Sequence, residues 1–293
     1  MEEQQTYKKL YDKYYKVLLL IPVALMILSL GYIGYFYSQN GDFIYKDISL
    51  TGGTSVTLYE QISPSQIKQD LSGNLTDLNT RAIYDIITRE QKAIILETKL
   101  DGDSTKQVLE NYLGYNLTSE NSSFEFTGSS LSASFYNQLL VAVLIAFVFM
   151  AIVVFIIFRT LAPSAAVIAS AFADIVMTLA VANLLGMRMS TAGIVAFLML
   201  IGYSVDTDIL LTTRILKRQE GSVNERLFGA FKTGMTMTLT SLFAVSFALV
   251  IVMSFSVVLT QIFTILVIGL IFDLVNTWIT NVSILKWYVE RRK

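Results

Sequence analysis

Between Phe135 and Phe158 the sequence reads FYNQLLVAVLIAFVFMAIVVFIIF, a run of 24 residues that contains no charged side chain. A hydrocarbon core about 30 Å thick needs roughly 20 consecutive apolar residues in a helix. Inside lipid, a helix satisfies its backbone polar groups within its own segment. The run therefore predicts a membrane-spanning helix, and the same criterion can be applied outward along the chain.

Five further segments meet this criterion, one before the run and four after it. The six predicted spans are Val17–Tyr37, Phe135–Phe158, Pro163–Leu185, Thr191–Leu211, Phe231–Met253 and Leu259–Leu285. The predicted fold class is a membrane all-α bundle of six transmembrane helices, with one large insertion between the first two. Because the first span follows a charged arm and is long enough to cross a bilayer, we expect a retained signal anchor.

The distribution of Lys and Arg predicts the orientation of the spans, because short cytoplasmic segments carry an excess of both residues. Four basic clusters fall on one side of a six-span chain: Lys8, Lys9, Lys13 and Lys16; Arg159; Arg214, Lys217, Arg218, Arg226 and Lys232; and Lys286, Arg291, Arg292 and Lys293. The short opposite loops hold only Arg188. We therefore expect a multi-pass protein of the cytoplasmic membrane, with a cytoplasmic arm (residues 1–16) and a cytoplasmic tail (residues 286–293).

The insertion, residues 38–134, has the composition of a soluble surface, with thirteen acidic against seven basic side chains and a local balance of −6. Its predicted elements are a strand within Asp47–Glu60, a helix from about Pro64 that ends before Gly73, a hairpin of Leu78–Ile87 and Lys92–Lys99, a helix capped by Asp103 that ends at Leu113, and a strand at Ser123–Thr127. This βαββαβ order predicts an α+β, ferredoxin-like extracytoplasmic domain. Three acceptor triplets for N-glycosylation begin at Asn74, Asn116 and Asn121.

The composition argues against several kinds of chemistry. The chain has no Cys and no His, which removes thiol nucleophiles, imidazole bases and the usual zinc ligands. A formal net charge of −1 gives no basic field for nucleic acid. Gly52-Gly53 lacks the context of a phosphate-binding loop. We therefore expect no enzymatic activity, no cofactor, no metal and no nucleic-acid partner.

Four acidic residues fall inside predicted spans: Asp174 in the third, Asp206 and Asp208 in the fourth, and Asp273 in the sixth. A charge at the centre of a spanning helix costs about 2.5–3.5 kcal/mol, so such residues are candidates for function. Asp206 and Asp208 project about 200° apart on a helix and cannot share one face. A structural interpretation stays open, because these acids can bond to Thr, Ser or Asn on adjacent helices or pair with Lys232 or Arg214.

The fifth predicted span is rich in hydroxyl groups. They belong to Thr233, Thr236, Thr238, Thr240 and Ser241. Hydroxyls inside a membrane bridge helices. Beside the acids they would support a path for protons or water, whereas each hydroxyl taken singly is explained as well by helix packing.

Six short motifs occur in a fixed order along the whole chain. They are Thr51-Gly52-Gly53-Thr54 after the first span, Gly128-Ser-Ser-Leu131 before the second, Phe158-Arg159 at its end, Ala173–Thr178 in the third, Leu200–Asp206 with Gly202, Tyr203 and Ser204 in the fourth, and Asn224 through Thr233 at the start of the fifth. The set resembles the SecF branch of the SecD/SecF protein-export family, in the resistance-nodulation-division superfamily. Their order and spacing, more than any single motif, make the resemblance specific.

The sequence departs from the family pattern at four places. Ser49 stands where the family commonly has Asp, Ala173 replaces a His, and Lys232 replaces an Arg. Asp206-Thr207-Asp208 puts an acid on either side of the usual Asp position. These changes resemble the archaeal branch of the family.

The resemblance implies an accessory subunit of Sec protein export. Such a subunit pairs with a SecD-like membrane subunit beside the Sec translocon, and contacts the translocating polypeptide and the lipid bilayer. The resemblance also implies coupling to protons, with Asp206 or Asp208 as proton carrier, Lys232 as charge partner, and Asp174 and Asp273 as further candidates. Two alternatives stay open: a proton-coupled small-molecule or lipid efflux transporter of the same superfamily, and a passive scaffold for the translocon.

Overall fold

The structure, a computed structural model, describes residues 15–85, 88–217, 221–254 and 256–291. Among these residues, six helices are long and apolar enough to cross a membrane, which confirms the predicted six spans. We call them spans 1 to 6: Tyr15–Asn40, Ser129–Phe158, Leu161–Leu184, Thr191–Lys217, Val223–Val252 and Val257–Arg291. Parts of four predictions lie outside the described residues: the arm before Tyr15, the basic residue Arg218, the strand end at Ile87, and the tail residues Arg292 and Lys293.

Spans 3, 4 and 6 form the centre of the bundle. Spans 3 and 4 are buried over more than half of their most apolar stretches and span 6 over a third, whereas spans 1, 2 and 5 direct most side chains outward. Small residues allow the central helices to approach closely. A Cβ on Gly269 of span 6 would collide with the Leu200 side chain of span 4. A residue larger than Gly at position 269 would therefore force the buried Leu200 side chain to move.

The chain that leaves span 1 first docks on the outer end of the bundle. Strand β1 (Tyr45–Lys46) pairs in parallel with β6 (Arg188–Met189), in the loop between spans 3 and 4. A helical turn, α1 (Ile48–Thr51), follows and is capped by Asp47. We call β1, α1 and β6 the outer junction.

Beyond the junction, the insertion folds as a four-stranded antiparallel sheet with two helices. Its elements are β2 (Gly53–Leu58), α2 (Pro64–Leu71), β3 (Asn79–Tyr84), β4 (Gln91–Thr98), α3 (Gly102–Leu113) and β5 (Ser122–Thr127). The strand order is β3-β4-β2-β5. Val56 and Leu58 of β2 and Ile94 and Leu96 of β4 are fully buried in one core with the two helices. From Thr54 to Leu58, buried side chains alternate with partly buried ones, which follows from the period of two of a strand with one covered face.

The cap of helix α3 differs from the prediction. Asp101, not Asp103, occupies the cap position, and its side chain accepts a hydrogen bond from the Ser104 backbone N–H. Asp103 lies in the first turn, where a negative charge also favours the helix. The helix ends at Leu113, where Gly114 adopts a left-handed conformation with a φ of 79°. Two acids spaced by one residue before an apolar run leave the cap position ambiguous from sequence alone.

Span 6 is not a continuous α-helix. It runs as an α-helix over Val257–Val275, as a π-helix over Asn276–Asn281, and again as an α-helix over Val282–Arg291. The last segment continues past the predicted end of the span at Leu285. Neither Gly nor Pro marks the change at Asn276, so the sequence gives no local signal for it.

Candidate functional site

Three of the four predicted acids come together in the centre of the bundle. Asp174 of span 3, Asp208 of span 4 and Asp273 of span 6 are all fully buried. We call these three residues the buried acid cluster. None of the ion pairs in the described ranges involves them, and their hydrogen-bond partners are Ser, Thr and Asn side chains.

Asp174 ties the three central spans to one another. Its Oδ2 accepts a hydrogen bond of 2.6 Å from the Ser204 hydroxyl on span 4. Its Oδ1 accepts one of 2.7 Å from the Asn276 amide on span 6. Ser204 is the Ser of the Gly202-Tyr203-Ser204 motif, so this part of the motif has a direct structural role.

Asp208 and Asp273 share one hydroxyl group. The Thr277 Oγ1 lies 2.9 Å from Oδ1 of Asp208 and 3.1 Å from Oδ1 of Asp273. The Asn281 amide donates to the same Asp208 oxygen at 2.7 Å. The Oδ2 atoms of Asp208 and Asp273 are buried and have no hydrogen-bond partner among the described residues.

The π-helix explains how span 6 supplies three polar groups to the cluster. A π-helix bonds residue i to residue i+5, so residues five apart lie close to one another on its surface. Asn276 and Asn281 have this spacing, and both donate to acids of the cluster. In a regular α-helix they would be separated by about 140° around the axis. Asn276 follows Asp273 by one turn in the sequence, but the structure pairs it with Asp174.

The fourth predicted acid faces away from the cluster. Asp206 is exposed on span 4, as are Gly202 and Tyr203 one turn before it, with Tyr203 at 40% exposure. Ser204 and Asp208 lie on the buried face of the same helix. The two acids of this span therefore occupy different faces, as their spacing predicts. The Gly202-Tyr203-Ser204 motif also contributes to both faces.

The predicted charge partner and most of the hydroxyl row lie outside the cluster. Lys232 is exposed near the start of span 5 and forms no ion pair within the described part of the chain. The exposed Thr236 and Thr240 bond to carbonyls of their own helix. Only Thr238 of the row is buried, and its hydroxyl lies 3.5 Å from that of Thr207 on span 4. Packing between spans 4 and 5 explains this last hydroxyl.

The Thr51-Gly52-Gly53 motif lies where the outer sheet leaves the outer junction. Thr51 ends α1, and Gly52 follows with a φ of 83°. A Cβ on Gly52 would collide with the Ser129 backbone at the start of span 2, and one on Gly53 with the Thr98 carbonyl of β4. Two glycines are needed here because three backbone segments cross at close range.

Ser49 connects the outer junction to the start of span 4. Its hydroxyl donates to Asp47 Oδ1 at 2.6 Å, and it accepts from both the backbone N–H and the hydroxyl of Thr191. The Asp47 carboxylate also accepts from the Ser49 N–H at 2.8 Å. Burial raises the pKa of Asp47, and these bonds from Ser49 partly offset that effect. Ser49 therefore fills its whole hydrogen-bonding capacity across the junction.

Comparison with known proteins identifies the family. The family model described as protein export membrane protein SecD/SecF, C-terminal, matches residues 107–291. The chain belongs to the SecD/SecF family. SecF of Methanocaldococcus jannaschii is 41% identical over 94% of this chain and 96% of its own length. SecF of Methanothermobacter thermautotrophicus is 37% identical over 96% of this chain and 94% of its own length. These relatives confirm the resemblance to SecF that the motifs indicated.

A solved SecDF structure has the same fold. The crystal structure of SecDF from Thermus thermophilus, titled a translocon-associated membrane protein, matches 95% of this SecF-like chain with a TM-score of 0.73 and 17% identity. A second SecDF structure, titled a super-membrane-facing form, matches 93% with a TM-score of 0.59 and 18% identity. In both comparisons this chain spans 38% of the length of the SecDF chain. At these identities the likeness shows the fold alone.

Proposed function

We propose that this chain is the SecF-type accessory subunit of Sec protein export. It pairs with a SecD-type membrane subunit beside the translocon and assists the movement of polypeptide across or into the cytoplasmic membrane. The observation that carries this proposal is the match to curated SecF proteins over nearly the full length of both chains. Nothing specific to this chain favours an efflux transporter of the same superfamily.

The insertion is proposed as a ferredoxin-like domain on the outer side, with both chain termini in the cytoplasm. Support for the fold comes from the element order βαββαβ and the antiparallel strand order β3-β4-β2-β5. Support for the orientation comes from the basic clusters, which all fall on the side opposite the insertion. In this arrangement the domain contacts polypeptide as it emerges, or the outer domain of the partner.

The buried acid cluster is proposed as the proton-binding element. The Thr277 hydroxyl has one hydrogen but lies within hydrogen-bond distance of Asp208 and Asp273. Both contacts are hydrogen bonds only if one of the two carboxyl groups carries a proton and donates it to Thr277. Three ionised carboxylates without a cation would also be very costly in a buried site. Asp208 and Asp273 are therefore the first candidates for proton binding, with Asp174 adjacent.

Span 4 links this cluster to the outer domain. It begins at Thr191, which bonds to Ser49 in the outer junction, and it carries Ser204 and Asp208 into the cluster. A change in protonation that breaks the Asp208 contacts would alter the packing of span 4 against span 6. Because a helix transmits movement along its axis, the outer junction would shift with it. Proton movement and movement of the outer domain would then be coupled.

Asp206 and Lys232 are proposed to act at the surface between this chain and its SecD-type partner. Both are exposed on this chain, and an exposed charge in a span is costly against lipid. Two contacts join spans 4 and 5 on either side of Lys232: Arg214 bonds to the Gly229 carbonyl, and the Thr207 hydroxyl lies near that of Thr238. Lys232 therefore lies beside the part of span 4 between Thr207 and Arg214. A partner span packed on this face would cover both charges.

Export of a secreted reporter in cells tests the proton proposal. Asp208→Asn, Asp273→Asn and Asp174→Asn keep the size of each side chain but remove its ability to exchange a proton. We expect each to reduce export at least tenfold, with subunit levels unchanged. Glu120→Gln, at an exposed position of the outer domain, is the matched control. Normal export in all three variants, with a normal complex, would show that the cluster is structural and would favour a passive scaffold.

A further inference from the structure

A pocket of about 400 Å³ opens between the start of span 1 and the end of span 6, which lie next to each other. It is lined by Tyr15, Lys16, Leu19, Ser283, Ile284 and Trp287. Ser283 donates a hydrogen bond of 3.2 Å to the Tyr15 carbonyl, so the two spans are joined at its base. The buried acid cluster contributes none of these residues, so the pocket is a separate feature of the molecule.

The walls and the rim of this pocket differ in chemistry. Leu19, Ile284 and Trp287 make an apolar wall, and Trp287 is 39% exposed. Two exposed cations lie near this wall: Lys16 lines the pocket, and the Arg291 guanidinium lies 4.3 Å from the centre of the Trp287 ring. The Lys286 ammonium lies 4.8 Å from the centre of the Tyr15 ring.

Among the described residues near the pocket, Glu290 is the only acid. Its Oε2 accepts a hydrogen bond of 2.9 Å from the Tyr15 hydroxyl. Two exposed cations, Lys16 and Arg291, therefore lie near a single carboxylate that already has a partner. The local charge is thus positive and suits an anionic ligand.

We propose that this pocket binds one anionic membrane lipid, with its phosphate group between Lys16 and Arg291 and the upper part of a hydrocarbon chain along Leu19, Ile284 and Trp287. Basic pockets between spanning helices bind lipid headgroups in this way. The position supports a lipid rather than a soluble anion, because the pocket lies where two spans reach the membrane surface. A Trp at this depth is also typical of the membrane–water boundary. The bound lipid would fix the start of span 1 against the end of span 6.

Lipid retention by the purified complex of this chain with its partner subunit tests the proposal. Phosphatidylglycerol and phosphatidylcholine with identical acyl chains are titrated into the complex in detergent, and native mass spectrometry counts the retained molecules. We expect one phosphatidylglycerol to bind at least tenfold more tightly than phosphatidylcholine. Glycerol phosphate, which has the anion without the chains, should not displace it at millimolar concentration.

Three variants locate the site. Lys16→Gln and Arg291→Gln should each weaken phosphatidylglycerol binding about fivefold, the effect of one cation near a membrane surface. Ile284→Trp, which fills the pocket without a change of charge, should abolish the tight site. Lys217→Gln, which removes an exposed cation at the end of span 4, is the matched control and should have no effect.

Several results would overturn the proposal. They are equal retention of the two lipids, equal losses in Lys16→Gln and Lys217→Gln, full displacement by glycerol phosphate, and tight binding to the chain alone that disappears in the complex. The last result would mean that the partner subunit covers the pocket. Each readout is independent of export activity, so failure here is distinct from failure of the proposed function.

Discussion

The backbone N–H of Thr191 donates a hydrogen bond of 3.0 Å to the hydroxyl of Ser49, and the Thr191 hydroxyl lies 3.2 Å from the same oxygen. The first residue of span 4 is therefore held by the segment that supports the outer domain. Because span 4 also carries Asp208, this contact is one direct physical connection between the buried acid cluster and the outer domain. Movement of span 4 relative to the outer junction would strain or break this contact.

Locking this contact should stop export. The chain has no Cys, so a Ser49→Cys, Thr191→Cys pair introduces the only two thiols. The 3.2 Å between the two native hydroxyl oxygens places the new sulfurs within bonding reach after small adjustment. Under oxidising conditions we expect a cross-link and a severalfold loss of export of a reporter, restored by a reductant. The single-Cys variants serve as controls, and full export by the cross-linked protein would show that the junction does not move.

Removing the shared hydroxyl should destabilise the membrane domain. In Thr277→Val the shape is kept, but Asp208 and Asp273 lose the donor between them. A buried acceptor left without its partner costs about 1–3 kcal/mol. Chemical unfolding of the purified chain in mixed micelles measures the loss. Thr264→Val is the matched control on the same span, because the Thr264 hydroxyl bonds only to the carbonyl of Thr260 in its own helix. Equal stability of the two variants would argue against the shared hydrogen bond.

Gly52→Ala should disrupt the connection between the outer domain and span 2. The added Cβ would overlap the Ser129 backbone, which cannot move without moving span 2, and the φ of 83° is strained for any L side chain. A strained backbone of this kind costs about 1–3 kcal/mol. Limited proteolysis should cut the outer domain of the variant much faster. In Gly128→Ala, where a Cβ would have open space, the cleavage rate should stay normal.

The ion pair between Asp77 and Arg188 should make docking of the outer domain sensitive to acid. Partial burial, the largest single effect, raises the pKa of Asp77, but the pairs with Arg188 at 3.0 Å and Lys99 at 3.2 Å outweigh it and leave the pKa below its usual 3.8. A lowered pKa in the folded state means that the stabilisation is complete above the unfolded value and is lost as pH falls through the folded one.

Thermal unfolding of the outer domain between pH 3 and pH 7 tests this expectation. The wild-type protein should exceed Asp77→Asn in stability at neutral pH and lose that advantage below about pH 4. Glu120→Gln, at an exposed position away from Arg188, should follow the wild-type curve throughout. A difference between Asp77→Asn and the wild-type protein that is the same at every pH would mean that the charge of Asp77 is not involved.

The sequence predicts the six spans and most of the outer elements, because each depends on a local pattern. Apolar length alone identifies Phe135–Phe158, and Gly114 marks the end of α3 through its left-handed conformation. The site is harder to predict, because a helix contact depends on which face each acid occupies. The rule of 100° per residue separates Asp206 from Asp208 but does not say which is buried.

The hydrogen-bond partners of the buried acids could not be predicted from the sequence for a further reason. Asn276 and Asn281 reach the cluster only because span 6 changes to a π-helix, and no residue type signals that change. Lys232 was a candidate for an ion pair with the acids, but its side chain on span 5 is exposed. Tertiary packing, not local pattern, decides both points.

The outward face of span 4 gives the last prediction, which concerns the partner subunit. Gly202 has open space around it, and Tyr203 and Asp206 are exposed beside it. Small residues on an exposed face let a second helix approach closely in lipid. Gly202→Leu should therefore reduce recovery of the SecD-type partner with this chain by severalfold, while the chain alone unfolds at the same temperature. Gly31→Leu makes the same change on exposed span 1 and should leave recovery of the partner unchanged. Equal recovery of the partner with both variants would place the subunit interface on another face.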